Sequence, residues 1–133
     1  KTTFDPKFFK KFTFQPEQIE RYWSNAKRDL EIAKKDPILE VKFTYSYSAL
    51  LKAGITLLAK KNGVKIRSTP GHHVKLLEKF SELMNDDRIF VVGDVMRSKR
   101  NTDLYWGGTE ITEKEAKDFL AFVCDVFERI SKT

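Results

Sequence analysis

Apolar residues recur every three or four positions in five separate stretches of this chain, with no strand-like alternation of any length. This spacing places the apolar side chains of each stretch along one face of an α-helix. Proline, glycine or clustered asparagine and aspartate bound the stretches, and these residues favour helix ends. Because the connections are short, the pattern predicts an all-α, up-and-down bundle of about five helices.

The boundaries of the five helices can be predicted from their capping residues. A proline in the first turn, a glycine just beyond the last turn and a Thr-x-x-Glu capping box are typical signals. The predicted starts are Pro16 for the first helix, Thr69 with its following proline for the third, about Ile89 for the fourth, and Thr112 with Glu115 for the fifth; the second follows shortly after Pro37. The predicted stops are Asp36, Asn62-Gly63, Asn85 and Gly107-Gly108. The second helix should be the longest.

Residues 1–15 differ from the rest because they are aromatic and basic and have no periodicity. We expect them to form an arm that packs on the domain or on a second copy of it. Residues 16–133 then form a single helical-bundle domain, long enough to bury a core. Within it, Val64 to Ser68 is predicted to be a short basic connector.

Composition restricts the compartment and the partners that we expect. The net charge of +6 suits a polyanion such as RNA, and equally a soluble basic protein without such a partner. The single cysteine, Cys124, cannot form an internal disulfide, which favours a reducing cytoplasm. No apolar run approaches the roughly 20 residues of a membrane span, and no signal-peptide pattern is visible. We therefore expect a cytoplasmic protein with no membrane partner.

The segment from Arg97 to Tyr105 contains the main candidate site. On a helix, Arg97, Asn101 and Tyr105 are spaced four residues apart and therefore lie on successive turns along one side. Arg100 lies one turn after Arg97. Guanidinium groups bind phosphate through two hydrogen bonds at once, so the arginines are candidate phosphate ligands. The alternative is a solvated helix end, where cations are favoured by the helix dipole.

Further candidates lie on the second and third helices and between them. His72 and His73 are the only histidines, hence the only ordinary side-chain bases near pH 7, and either could be a structural contact instead. Lys52 and Ser48 are one turn apart and could line the same cleft as Arg97. Arg67 belongs to a basic cluster that could follow a nucleic-acid backbone or form only a soluble loop. No cofactor is predicted, and no metal, because the histidines lack carboxylate or cysteine companions.

Four segments, in chain order, carry a family resemblance. Residues 26–33 (AKRDLEIA) match an A-x-x-D-L-x-x-A helix, and residues 45–53 (YSYSALLKA) match a second helix with a polar patch before Lys-Ala. Residues 67–73 (RSTPGHH) match R-S-x-x-G-H-H, and Arg100-Asn101 stands where an R-N-x4-H motif begins. Together, from about Pro16 to Ile130, the chain resembles the HEPN domains.

The resemblance implies a homodimer whose two motif helices face each other across a cleft. Many HEPN domains are metal-independent endoribonucleases, often toxins paired with a small nucleotidyltransferase antitoxin. Others bind RNA or nucleotides without cutting. In active members the motif arginine grips the scissile phosphate and the motif histidine assists proton transfer, roles that would place Arg100 on the phosphate.

The chain departs from the active motif at the histidine. Counted from Arg100, Trp106 stands at that position, and Arg100 to Tyr105 instead resembles a branch with Arg-Asn-x-x-x-Tyr. A phenol, with an ordinary pKa of about 10, accepts a proton poorly at neutral pH. Indole nitrogen only donates. We therefore expect binding rather than cleavage.

The leading hypothesis is a HEPN-like homodimer that binds RNA or a nucleotide, as the toxin half of a pair with a nucleotidyltransferase. If RNA is cleaved, Arg97 and Arg100 should hold the phosphate, and Tyr105 or His73 should assist. Asn101 could orient the substrate or cap the helix end. The expected nucleotide-binding residues are Lys52, Ser48, Arg67 and His72. One alternative is a non-catalytic protein-interaction module. Another makes Tyr105 the acceptor of a nucleotidyl group from the partner.

Overall fold

A computed structural model of the chain describes residues 2–104 and 111–132. Its α-helices are α1 (Pro16–Lys35), α2 (Leu39–Asn62), α3 (His72–Met84), α4 (Arg88–Ser98) and α5 (Glu113–Ser131). A π-helical segment (Lys99–Leu104) continues α4, and β1 (Phe9–Lys11) and β2 (Val64–Ile66) are short strands. The predicted all-α bundle is confirmed. None of the helices in the described ranges combines the length and apolar character needed to cross a bilayer.

The second helix, α2, is the centre of the bundle. It packs against α1, α3, α4 and α5, and at 24 residues it is the longest of the described helices, as predicted. The core contains Phe43, Leu50, Leu57 and Leu58 of α2, which are almost wholly buried. Another side of the helix carries polar residues such as Lys52 that are partly exposed.

Two glycines allow helices to approach closely. A Cβ atom on Gly54 of α2 would lie 2.8 Å from the ring of Phe80, a completely buried residue of α3. A Cβ atom on Gly93 of α4 would lie 2.6 Å from a methyl group of Leu77 on α3. Both contacts leave no room for a methyl group, so the glycines set the distances of α3 from its neighbours.

Most predicted helix boundaries are confirmed. Pro16 lies in the first turn of α1, and Gly63 ends α2 in the left-handed conformation at φ 61°. Asn85 ends α3 in the same conformation at φ 52°. The N–H of Glu115 donates to Thr112 Oγ1 at 3.1 Å, and the N–H of Thr112 donates to Glu115 Oε1 at 3.0 Å, which completes the capping box of α5.

The predicted start of the third helix is wrong. Thr69 and Pro70 do not begin α3; they belong to a turn that the His72 N–H closes on the Thr69 carbonyl at 3.0 Å. Gly71 has φ 81° and ψ 7°, the conformation of the third residue of a type II turn, where glycine is favoured. The helix therefore begins at His72, and the two histidines become its first residues.

The fourth helix changes its hydrogen-bonding pattern before the end of its described part. Regular α-helix ends at Ser98, and the backbone continues as a π-helix over Lys99–Leu104. A π-helix replaces i to i+4 hydrogen bonds with i to i+5 bonds and is frequent at functional sites. The predicted glycine stop at 107–108 lies outside the described residues.

The basic connector and the N-terminal arm form a sheet that the sequence did not predict. β1 and β2 are antiparallel, with Phe9 opposite Ile66 and Lys11 opposite Val64. Phe8 and Phe9 are buried, so the arm packs on its own domain. The strands are too short for alternation to be visible, and each depends on the other for its hydrogen bonds.

The close contact at Gly54 gives a stability prediction. Gly54→Ala should lower the free energy of unfolding by about 1 kcal/mol or more, because overpacking against the Phe80 ring exceeds the gain in helix propensity. Urea unfolding measures this change. Arg21→Ala, at an exposed position on α1, is the control and should be neutral. A Gly54→Ala protein as stable as the wild type would show that α2 and α3 are not closely packed here.

Candidate functional site

Five of the predicted site residues line one pocket. Arg97, Arg100 and Asn101 reach it from the end of α4 and the π-helix, and His72 and His73 reach it from the start of α3. The pocket has a volume of about 390 Å³. We call it the arginine–histidine pocket. None of the described residues that line it is acidic, so its charge favours an anion.

The two arginines are held by neighbours on the protein side. Arg97 Nε donates to Asp94 Oδ1 at 2.8 Å, one helical turn earlier. The Arg100 guanidinium lies over the ring of Tyr47, with its central carbon 5.9 Å from the ring centroid. Such a cation–π contact restrains the arginine without occupying its hydrogen-bond donors. Both side chains are thus positioned beside the pocket before a ligand arrives.

His72 has a defined tautomer. Its Nδ1 lies 2.8 Å from the Thr69 carbonyl oxygen, which can only accept a hydrogen bond. Nδ1 therefore carries a proton, and in the neutral ring Nε2 holds the free lone pair. The carbonyl belongs to the turn before α3, so the same turn that sets the helix start orients this ring. His72 is the better candidate for a hydrogen-bond acceptor in the pocket.

His73 has a different environment. Its Nδ1 lies 3.1 Å from the Tyr47 hydroxyl, and burial, reinforced by His72, Arg100 and Arg97, lowers its pKa to about 4. Burial also raises the pKa of Tyr47, so the phenol keeps its proton. His73 is therefore neutral at pH 7 and a weak base, which argues against the predicted proton-transfer role.

A second pocket, of about 460 Å³, surrounds a buried carboxylate on α1. Asp29 is 1% exposed, and its carboxylate accepts hydrogen bonds from Lys52 Nζ and Ser48 Oγ, both at 2.7 Å. Arg28 Nη2 lies 3.4 Å from its other oxygen. Burial raises the pKa of Asp29, but the hydrogen bonds from Lys52 and Ser48 prevail and hold that pKa below its ordinary value. We call this the Asp29 pocket, lined by Arg28, Asp29, Tyr45, Ser48 and Lys52.

The two pockets are neighbours, because His73 and Arg100 line both of them. Lys52 and Ser48 were expected beside Arg97. The structure brings them instead to the Asp29 pocket, where they share the wall with Arg100. Lys52, Ser48 and Arg97 thus lie along two adjoining pockets of one chain.

One predicted residue, Arg67, lines neither of these pockets. Arg67 lines a different cavity with Phe4 and Lys10, and its Nε donates to the Pro6 carbonyl at 3.0 Å. It anchors the N-terminal arm, so its predicted role in nucleotide binding finds no support in its position. Tyr105 lies outside the described residues.

Sequence reasoning did not select Asp29 or Tyr47 as site residues. Asp29 lies between Ala26 and Ala33 in the buried stripe of α1. A carboxylate within such a stripe requires partners from a neighbouring helix, and that was the available signal. Tyr47 is buried in α2, and its hydrogen bond to His73 spans 26 residues, so it has no local signal in the sequence.

Within the described residues, no three histidine, cysteine, aspartate or glutamate side chains come together as a metal site requires. The groups that meet in the arginine–histidine pocket are guanidinium, imidazole and amide groups. These groups bind the oxygens of phosphate or carboxylate through charge and hydrogen bonds.

Comparison of the chain with protein-family models, curated proteins and solved structures finds no match. The geometry of the two pockets is therefore the main basis for a functional argument.

The lowered pKa of His73 gives a pH prediction. The pKa of His73 is about 4 in the folded protein, whereas its ordinary value, which applies in the unfolded chain, is 6.5. The unfolded state thus holds more protons between these values, and the contribution of His73 to stability, complete above pH 6.5, is lost as the pH falls towards 4. His73→Gln should remove this part of the pH dependence.

Urea unfolding of wild type, His73→Gln and His72→Gln between pH 4.5 and 7.5 measures the effect. The His72 variant is the control from the same turn of α3. If His73→Gln showed the same dependence on pH as the wild type, the neutral, buried state of His73 would be wrong.

Proposed function

We propose that this chain is a HEPN-like domain that binds RNA or a nucleotide through the arginine–histidine pocket. The observation that carries the proposal is the convergence of Arg97, Arg100 and Asn101 with His72 at one pocket lined by no described acidic residue. Side chains from two separate parts of the chain contribute to this convergence, which a solvated helix end alone would not require. Phosphate is the group that RNA and nucleotides have in common.

We propose binding rather than cleavage as the function. Transesterification of RNA needs a group that accepts the 2′-hydroxyl proton near neutral pH. His73, with a pKa of about 4, is a weak acceptor at that pH. His72 has a free Nε2 in its neutral form, which suits a hydrogen bond from a ribose hydroxyl or a base. Both rings can thus contact a ligand through hydrogen bonds.

The proposal includes a homodimer. Val91 and Val95 lie one turn apart on α4, the helix that leads to the arginines, and are 59% and 52% exposed. Removing such a pair from water would favour association through α4. A dimer of this kind would bring two arginine–histidine pockets close together. The nucleotidyltransferase antitoxin implied by the resemblance stays a prediction.

Loss of either pocket arginine should weaken RNA binding. Arg97→Ala and Arg100→Ala should each lower affinity for a short single-stranded RNA by about tenfold, since each removes charged hydrogen bonds to phosphate. Each should also reduce the slope of log affinity against log salt by about one. Fluorescence anisotropy at several salt concentrations measures both quantities.

Two arginines outside the pocket are matched controls. Arg21→Ala removes the same charge from an exposed position on α1, and Arg67→Ala tests the predicted residue that the fold places elsewhere. Both should bind RNA nearly as the wild type does. Equal losses in all four variants would indicate binding through net charge alone and contradict the proposed site.

The dimer prediction has its own test. Val91→Glu with Val95→Glu should shift the protein from dimer to monomer in light scattering after size exclusion, because two carboxylates would face each other across the interface. Ile38→Glu, at a residue 56% exposed beside α2, is the control and should leave the dimer intact. A monomeric wild type, or a dimer unaffected by both valine changes, would contradict association through α4.

The alternative function is a protein-interaction module without a nucleic-acid ligand. It differs in one observable: the wild-type protein would form its dimer yet show no salt-dependent retention of RNA. The arginine variants would then have no binding phenotype.

A further inference from the structure

The Asp29 pocket is built around an ion pair that keeps positive charge at its surface. Asp29 is 1% exposed, whereas Lys52 is 36% exposed and Arg28 is 62% exposed. A buried carboxylate needs such partners to remain ionised. As a result, two cationic side chains contact Asp29 through their charged groups and still reach solvent at the pocket.

The arginine–histidine pocket and the Asp29 pocket together form one groove, and the positive charge of this groove exceeds what one phosphate requires. Four cations, Arg28, Lys52, Arg97 and Arg100, line the two pockets, and Asp29 is the one acidic residue among the described lining residues. Asp94, which pairs with Arg97, lies outside both linings, so positive charge still prevails in the groove. Arg100 and His73 belong to both linings, so a ligand can extend from one pocket to the other without leaving the groove. A chain of phosphates suits this distribution better than a single phosphate does.

An aromatic side chain provides a place for a base. Tyr45 is half-buried and lines the Asp29 pocket, whereas the ring of Tyr47 is buried beneath Arg100. Tyr45 is therefore the tyrosine of the pair with a surface that a ligand can reach. Positive charge that follows a backbone, together with an aromatic side chain for stacking, is the combination that binds single-stranded nucleic acid.

We propose that the groove holds a phosphodiester-linked chain of at least two nucleotides, with one phosphate in the arginine–histidine pocket and the adjoining nucleotide in the Asp29 pocket. Lys52 and Arg28 would contact the backbone of the second nucleotide, and Tyr45 would stack on its base. Asp29 would position Lys52 without touching the ligand. This inference rests on the proposed function and narrows its ligand to an oligonucleotide.

Chain length is the first test. Affinity should be weak for uridine 5′-monophosphate and should rise about tenfold or more for short uridine oligoribonucleotides of two to six residues, because only these reach both pockets. The matching deoxyuridine oligonucleotides show whether the 2′-hydroxyl contributes. Competition against a fluorescent RNA measures all of them on one scale.

The second test is whether substitutions in the Asp29 pocket weaken binding of oligonucleotides but not of the mononucleotide. Arg28→Met and Tyr45→Ala should each lower oligonucleotide affinity by about three- to tenfold and leave mononucleotide affinity unchanged. Lys52→Met alone would leave the buried Asp29 carboxylate without its lysine partner. Lys52→Met is therefore combined with Asp29→Asn, so that both charges of the ion pair are removed together. Lys60→Met, an exposed lysine two turns further along α2, is the matched control. Melting curves confirm that each variant is folded.

The outcomes separate this inference from the proposed function. If oligonucleotides bind no better than the mononucleotide, or if the Asp29-pocket variants behave as Lys60→Met does, the second subsite is wrong. Sensitivity to Arg97→Ala, at a residue that lines only the arginine–histidine pocket, would still support the first pocket. If the wild type binds no phosphate-bearing ligand, both proposals fail.

Discussion

The ion pair between Asp29 and Lys52 is the interaction on which the rest of the groove depends. A carboxylate that is 1% exposed must be matched by positive charge and hydrogen-bond donors, and α2 supplies both through Lys52 and Ser48. The pair links α1 to α2, the helix that packs against each of the other described α-helices.

From α2, the polar contacts continue to the proposed ligand site. Tyr47 bonds His73 and lies beneath Arg100, so one buried phenol contacts both residues that the two pockets share. The type II turn at Pro70-Gly71 sets the first residue of α3 and orients His72 through the Thr69 carbonyl. Buried groups thus hold the pocket side chains in place, and the ligand need not order them.

The helices could be predicted because their signals are local. Apolar spacing, Gly63 and the Thr112–Glu115 box act within a few residues and do not depend on distant contacts. The strands could not, because three residues show no period and Phe9 pairs with Ile66 from far along the chain. The start of α3 was misjudged because Thr-Pro can open a helix or a turn, and the glycine at position 71 decides for the turn.

The candidate site was predicted in part. Arg97, Arg100 and Asn101 are neighbours in sequence, so their proximity followed from local reasoning. Their meeting with His72 and His73, the buried role of Asp29 and the separate place of Arg67 depend on tertiary packing, which leaves no local pattern.

Backbone amide NMR during titration with a short single-stranded RNA tests the central claim most directly. The account predicts the largest shift changes at residues 69–73 and 97–101, which surround the arginine–histidine pocket. Shift changes confined to the β1–β2 sheet around Arg67, or no changes at all, would contradict it.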